Sequence, residues 1–431
     1  MTIELSSRRA RCCFLFLAML AAGEFSYVVA RVWIAVQWSE SQNPRHWIAA
    51  AKTEPGDAEY WEQLGRYYQF NLAGQDLSKA AGYLQRAAEI NPRSERSWLE
   101  LAVLDENRGD SPAARRAYKK AQSNFPVSPD VAWRYGSFLL RQGDYSEGFI
   151  MLKRALDSNA FLEASVLAEC RAVDPDADSI ARKVLPQKEA YYVRAVRYFL
   201  SRKQTDAALA MWKQLLKLNQ PTAMTDAIDL IDDLIDRGRV SEAHQVWCEA
   251  LQRSGWPGNA NDNASLVFNG GFEVNSLNGG FDWRELPVSD VSYDIDSGVA
   301  HSERRSLRIT FDGAANINFQ HVFQYVPVAS RHRYQFLAYV RTDGIPTGGA
   351  RFEIFDPRHP QEPHAITPVV AGANEWTPLR IDFESGVDTH VLEVLLRIAQ
   401  GTGFENQLRG IVWVDDVSLL PIAARTVGAG R

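Results

Sequence analysis

Residues 95–128 read ERSWLELAVLDENRGDSPAARRAYKKAQSNFPVS, and the spacing within this stretch decides the architecture of about half the chain. Trp98, Leu101 and Ala102 share one face of a predicted helix, Gly109 breaks it, Ala114, Tyr118 and Ala121 form the stripe of a second helix, and Pro126 closes that one. Neither short helix can bury its stripe alone, so each must pack on its mate and on a neighbouring pair. The neighbours are visible. An earlier copy carries Trp61, Leu64, Gly65 and Tyr68, then Ala80, Leu84, Ala87 and Pro92, with a longer turn around Asn71 to Ser78. A later copy keeps Tyr135, Gly136, Leu139, Gly143, Gly148, Leu152 and Ala155 and has Ala160 where the closing proline would stand. Gly65, Ala102 and Gly136 are expected to be small because the second helix crosses the first there at close range.

This pattern, W-x2-L-[GA] followed by G, A-x3-Y-x2-A and P at a period near 34 residues, resembles the tetratricopeptide repeat. Degenerate hairpins follow at Ala195, Ala208, Trp212 and Leu215 and at Leu234, Gly238, Ala243, Trp247 and Ala250, after a slip of phase between Phe161 and Gln187. Roughly five or six hairpins are predicted to stack into an all-α solenoid over residues 43–256. The resemblance implies a protein partner on the concave face. Trp61, Trp98 and Tyr118 occupy consensus core positions, so packing is their expected role.

Residues 1–42 read as an N-terminal signal anchor. Arg8, Arg9 and Arg11 precede the apolar run Cys12 to Gly23, which continues through Phe25, Val28, Val29, Val32, Trp33, Ile34 and Val36. Glu24 and Arg31 interrupt it on one helical face, which is expected either to meet a partner or to turn along the interface. A cleaved signal peptide ending near Ala21, Ala22 and Gly23 is the rival. An uncleaved anchor is preferred. The charge bias then predicts a single-pass protein of the inner (cytoplasmic) membrane with the bulk of the chain outside the cytoplasm.

Helical periodicity stops at a linker, residues 257–264, and alternation takes over across 265–421, with residues 422–431 left as a disordered tail. Leu307, Ile309 and Phe311 point one way, as do Tyr334, Phe336, Ala338 and Val340, Phe352 and Ile354, Leu379, Ile381 and Phe383, and Leu392, Val394, Leu396 and Ile398. These strands predict an all-β sandwich of jelly-roll type. Asn269-Gly270-Gly271-Phe272-Glu273, Trp283, His301-Ser302 with Ser306-Leu307-Arg308-Ile309, and Val412-Trp413-Val414-Asp415-Asp416-Val417-Ser418-Leu419 together resemble a carbohydrate-binding module of the galactose-binding-like class, with Glu303 where a glycine is common. The resemblance implies polysaccharide as a ligand and a structural calcium near Glu273 with Asp415 or Asp416. The bland alternative is that these acids cap turns or meet arginines.

The other face of the strands offers Phe319, His321, Phe323, Tyr325, Gln335, Tyr339, Arg341, Arg351, Glu353, Phe355 and Arg397. Flat rings with amides and charges suit sugar, since C–H faces stack on rings while forked side chains meet hydroxyl pairs. They suit equally a seam against the helical array.

A net charge of -6 argues against a nucleic-acid partner. Cys170 and Cys248 are isolated, and no phosphate-binding loop, H-E-x-x-H or G-x-S-x-G occurs, so neither a cofactor nor catalysis is expected. The sequence therefore reads as a membrane-anchored, non-enzymatic scaffold of surface-polysaccharide assembly or export. The alternatives are a purely protein-binding envelope factor and a carbohydrate-active enzyme with an unrecognised carboxylate pair.

Overall fold

The computed structural model describes residues 8–41, 43–71, 74–256, 265–362, 364–400 and 407–422. The predicted linker 257–264 and all of the predicted tail except Ile422 lie outside the described residues. The chain divides into two compact units, Met1–Pro186 and Gln187–Arg431.

In the first unit, α1 (Arg8–Ser39) is apolar and long enough to cross a membrane. It is followed by α2 (Pro44–Thr53), α3 (Ala58–Phe70), α4 (Leu77–Ile90), α5 (Glu95–Asn107), α6 (Ser111–Asn124), α7 (Pro129–Arg141) and α8 (Tyr145–Ser158). A 3-10 turn (Ala160–Leu162), α9 (Glu163–Val173) and α10 (Ala177–Lys183) complete it. The helices start where side-chain oxygens satisfy free N–H groups: Asn43, Asp57, Asp76, Ser94, Asp110 and Ser128 accept from the first turns of α2 to α7. Gly109 and Gly143 turn the chain between paired helices at φ 78° and 83°, a region that costs a side chain dearly. The helix crossings are as close as the small residues require. A Cβ on Gly65 would lie 2.5 Å from Leu84 Cγ, and one on Gly136 would lie 2.9 Å from the same atom of Leu152.

The end of α1 belongs to this array. Ala35 is fully buried with Trp38 against Trp47, Ile48, Ala50 and Ala51 of α2 and Tyr60 and Leu64 of α3. Arg31 Nε donates to Glu54 Oε1 at 2.6 Å and Nη2 to Oε2 at 3.2 Å, a fork-to-fork pair at the end of α2. Arg31 thus meets its partner within the chain, whereas Glu24 stays exposed.

The second unit opens with two hairpins, α11 (Glu189–Ser201) with α12 (Thr205–Lys217), and α13 (Thr225–Asp236) with α14 (Val240–Ser254). An antiparallel β-domain follows, made of β1 (Arg284–Glu285), β2 (Val291–Asp296), β3 (Ser306–Asp312), β4 (Phe319–Pro327), β5 (Arg333–Phe355), β6 (Ala365–Ile366), β7 (Val370–Glu384), β8 (Val391–Ile398) and β9 (Arg409–Pro421). The strand order is β1-β4-β8-β5-β9-β3-β2, with β6 and β7 also paired to β5. Strand β5 is a single element where alternation predicted two. Its first half pairs with β7 and β9, and Ala350 to Phe355 pairs with β8. One core gathers Leu307, Ile309, Phe336 and Val414 with Val322, Phe352, Leu392 and Leu396 around Trp283 and Phe272.

Candidate functional site

Because the first helix of each hairpin places charged and aromatic residues opposite its buried stripe, α3 and α5 build a groove. Glu59, Glu62, Gln63, Arg66, Tyr67 and Phe70 of α3, with Arg96 of α5, Ser39 and Trp47, line a cavity of about 510 Å³. Glu62 is buried in its wall, which raises its carboxyl above the usual range, while Ser97 Oγ donates to it at 3.0 Å and Arg96 pairs with it at 2.7 Å. Arg66 lies 3.4 Å from Glu100, yet its buried Nε makes no hydrogen bond. Phe70 is 57% exposed. Trp61 and Trp98 are half-buried staples instead: their indole N–H groups donate to Pro55 O and Pro92 O at equivalent places in successive repeats.

The predicted saccharide face does not form one surface. Phe319 is a correction: it is 0% exposed and belongs to the core, because the register of β4 on β8 shifts between Phe319 and Val322. A residue inserted there turns Phe319 inward, which simple alternation misses. Gln335, Tyr339 and Arg341 lie on the first half of β5, away from the rest. There Tyr339 stacks on His301 at 3.6 Å, Trp376 meets His301 edge-on at 5.7 Å, Arg341 sits 5.5 Å from the Trp413 ring, and Gln335 donates to Asp382. His321, Phe323, Tyr325, Arg351, Glu353, Phe355 and Arg397 occupy neighbouring registers on β4, β5 and β8. Arg351 is closed by Glu353 at 2.6 Å and Arg397 by Gln320 at 2.5 Å, while burial lowers the pKa of His321.

Much of this second group is a seam. Arg284 of β1 lies 4.6 Å from the Tyr325 ring and 5.8 Å from the Phe323 ring. It reaches Asp232 of α13 at 2.5 Å and Gly280 O at 2.8 Å, and the N–H of Gly280 also donates to Asp232. Trp247 of α14 packs edge-on against Phe268 and Phe281. A Cβ on Gly280 would strike Trp247 at 2.5 Å, and one on Gly279 would strike Ile228 at 2.5 Å. Phe355 is buried, and burial pushes the Glu393 carboxyl beside this seam up to about 7. Asp232, Trp247, Gly279, Gly280 and Arg284 carry no mutual signal in sequence, because their partners are remote and no local period links them.

The calcium expected from the resemblance does not fit the donors present. Asp415 Oδ2 accepts from the N–H groups of His301 and Ser302, and Oδ1 accepts from Asp416 N–H. Asp416 accepts from Ser302 Oγ and pairs with His301 Nδ1, and Glu273 Oε1 accepts from the N–H groups of Arg304 and Arg305. Asp415 Oδ2 and Glu273 Oε1, each already holding two N–H donors, have no lone pair left for a cation that needs six to eight oxygen ligands. Among the described residues no group of three or more His, Cys, Asp or Glu could hold a metal. The three acids fasten the 301–305 loop, with burial raising Asp415 to about 6. Asp282, raised by burial to about 7, is likewise committed to the N–H groups of Leu277 and Trp283.

Residues 99–162 match the Tetratricopeptide repeat family model. The type IV pilus assembly protein PilF of Pseudomonas aeruginosa is 29% identical over 182 residues, 42% of this chain. The chain thus spans 66% of the length of that curated relative. Among solved structures, a CBM4 structure aligns with 36% of this chain and 99% of its own at 15% identity and a TM-score of 0.28. YrrB, a tetratricopeptide protein with an unusual peptide-binding site, aligns with 40% of this chain and 91% of its own at 14% identity and a TM-score of 0.28. P. aeruginosa PilF aligns with 46% and 77% at 21% identity and a TM-score of 0.24. The chain thus carries tetratricopeptide-type repeats over residues 99–162 and a C-terminal antiparallel β-domain.

Proposed function

We propose that this protein is a non-enzymatic scaffold of the cell envelope, held in the inner membrane by α1 and recruiting a protein partner into the groove between α3 and α5. The carrying observation is the groove itself, where exposed Phe70 stands beside the charged wall of Glu59, Glu62, Arg66 and Arg96. An exposed ring beside paired charges favours an extended peptide segment, whose side chain can stack while its polar groups meet the charged wall. The similarity to a pilus assembly protein supports an assembly role, and Arg8, Arg9 and Arg11 before the apolar helix support an orientation with the repeats outside the cytoplasm. The test is a photo-crosslinking residue at Gln63 of the full-length chain in its native envelope. The expected result is one crosslinked protein, lost when Phe70→Ala is added. Capture through the β-domain alone, with none at Gln63, would overturn this reading.

A second reading, that a jelly-roll-type β-domain binds polysaccharide, is favoured by the half-exposed cluster of Tyr339, His301 and Trp376. On a glycan array it requires binding by the full chain that Tyr339→Ala abolishes. A blank array removes it.

A further inference from the structure

We propose that one edge of the repeat array makes a second contact with the lipid bilayer, through Val127 and Phe161; this rests on reading α1 as a membrane span. The stretch of α1 between Arg11 and Arg31, apolar but for a few residues such as Glu24, rises about 28 Å, close to the thickness of the hydrocarbon layer, which leaves Val32, Trp33, Ile34 and Val36 at headgroup depth. Arg31 therefore marks the bilayer surface. Its guanidinium holds Glu54, the residue on which α2 ends, and so fixes the turn between α2 and α3 at that surface.

The helices of successive hairpins run up and down, so every turn from the second helix of one pair to the first of the next lies along the same edge. Contacts join these turns in a row. Glu54, Gly56 and Asp57 line one cavity with Asn91 and Ser94 of the next turn. Asn124 donates to Pro92 O at 2.9 Å, and Ser128 donates to Glu95, which carries the row to the turn between α6 and α7. The turn after α8 is next in the series.

Along this row the apolar content rises outward. Val127 is 79% exposed and Phe161 98%, the latter on the 3-10 turn after α8. The opposite edge turns through Arg108, Gly109 and Asp110 and through Gln142, Gly143 and Asp144, which are exposed and, glycines aside, polar, and its exposed rings, Phe70 at 57% and Tyr145 at 46%, are less bare than Phe161. An isolated exposed valine needs no explanation, but a fully bare phenylalanine on the edge that already meets the membrane does. Rings and aliphatic side chains at headgroup depth are the chemistry by which interfacial segments bind lipid, and Lys52, Asp57 and Arg93 give this edge mixed charge, so the contact is apolar in origin.

The test uses the full chain with its four native cysteines replaced by alanine, reconstituted in phosphatidylcholine vesicles, and spin-labelled singly at Val28→Cys, Val127→Cys, Phe161→Cys or Gln142→Cys. Accessibility to dissolved oxygen is compared with accessibility to an aqueous nickel chelate. The expected result is a several-fold preference for oxygen at 28, 127 and 161 and the reverse at 142. Labels at 127 and 161 that behave like 142, with 28 in lipid, overturn the edge contact alone, and protein capture at those positions would then replace it. A water-exposed label at 28 overturns the anchor and this inference together.

Discussion

Replacing Arg284 by alanine should uncouple the β-domain from α13 and α14. The guanidinium is 10% exposed and makes a charge-assisted bond to Asp232, a second bond to Gly280 O, and a close approach to the Tyr325 ring. A hydrogen bond to a charged group contributes about 1.5–3 kcal/mol, and a cation over a ring about 0.5–2 kcal/mol. Asp232 keeps 36% of its side chain open to water, which screens the ion pair and places it low in its range. Losing the cation also strands Asp232, whose carboxyl burial already raises, with only the Gly280 N–H. The net expectation is a loss of about 2–4 kcal/mol from the second unit. Urea denaturation followed by tryptophan fluorescence gives the magnitude, and hydrogen exchange should show α13 losing protection before the strands do. A cycle with Asp232→Asn should return a coupling of about 1–3 kcal/mol. A single variant within about 0.5 kcal/mol of the parent, with α13 still protected, refutes the idea that this pair fastens the seam.

Glu393 has a folded pKa near 7 against the ordinary 4.5, so between those values the folded state binds more protons and stability falls as pH rises. Asp282 and Asp415 slope the same way, and Glu393→Gln should flatten thermal stability measured from pH 4.5 to 7; an unchanged slope would count against it. Gly136→Val should cost about 1–3 kcal/mol by driving α7 off Leu152, whereas Gly82→Ala, with open space around it, should gain about 0.5–1 kcal/mol; equal effects in chemical denaturation contradict the close crossing. A chain beginning at Asn43 lacks Arg31, Ala35 and Trp38, so size-exclusion chromatography should show it aggregating or melting lower than one beginning at Ala30.

The repeats were legible because each of their constraints is local. Gly65, Ala102 and Gly136 are small for a crossing a few residues away in the pattern, and Pro92 and Pro126 stop helices by chemistry that any reader of the chain can apply. Strand positions were legible for the same reason, since alternation of apolar residues is a property of neighbours. The failures share a cause as well. Phe319 turned inward at an irregularity that adds no distinctive residue, and β5 runs on through Gly344 to Gly349, where the apolar alternation that marks its two halves is interrupted. Arg284 and Asp232, or His301 and Asp416, lie far apart in the chain and meet only once the strands have paired. Of the acids expected to hold calcium, Asp415 and Glu273 accept from backbone N–H groups and Asp416 meets the His301 and Ser302 side chains, partners whose position is set by the fold of a loop.

Strand β5 gives the molecule a timetable. Its second half finds a partner in β8, which ends at Ile398, and its first half in β7 and β9, so its pairing is not complete until residues out to Pro421 have arrived. The helical hairpins need only adjacent segments and form orders of magnitude sooner. During that interval Trp247 and Ile228, later covered by Phe281 and Gly279, wait uncovered on a finished pair of helices. A newly made chain therefore passes through a stage in which apolar side chains destined to be hidden stand open, the condition under which a folding intermediate sticks to its neighbours.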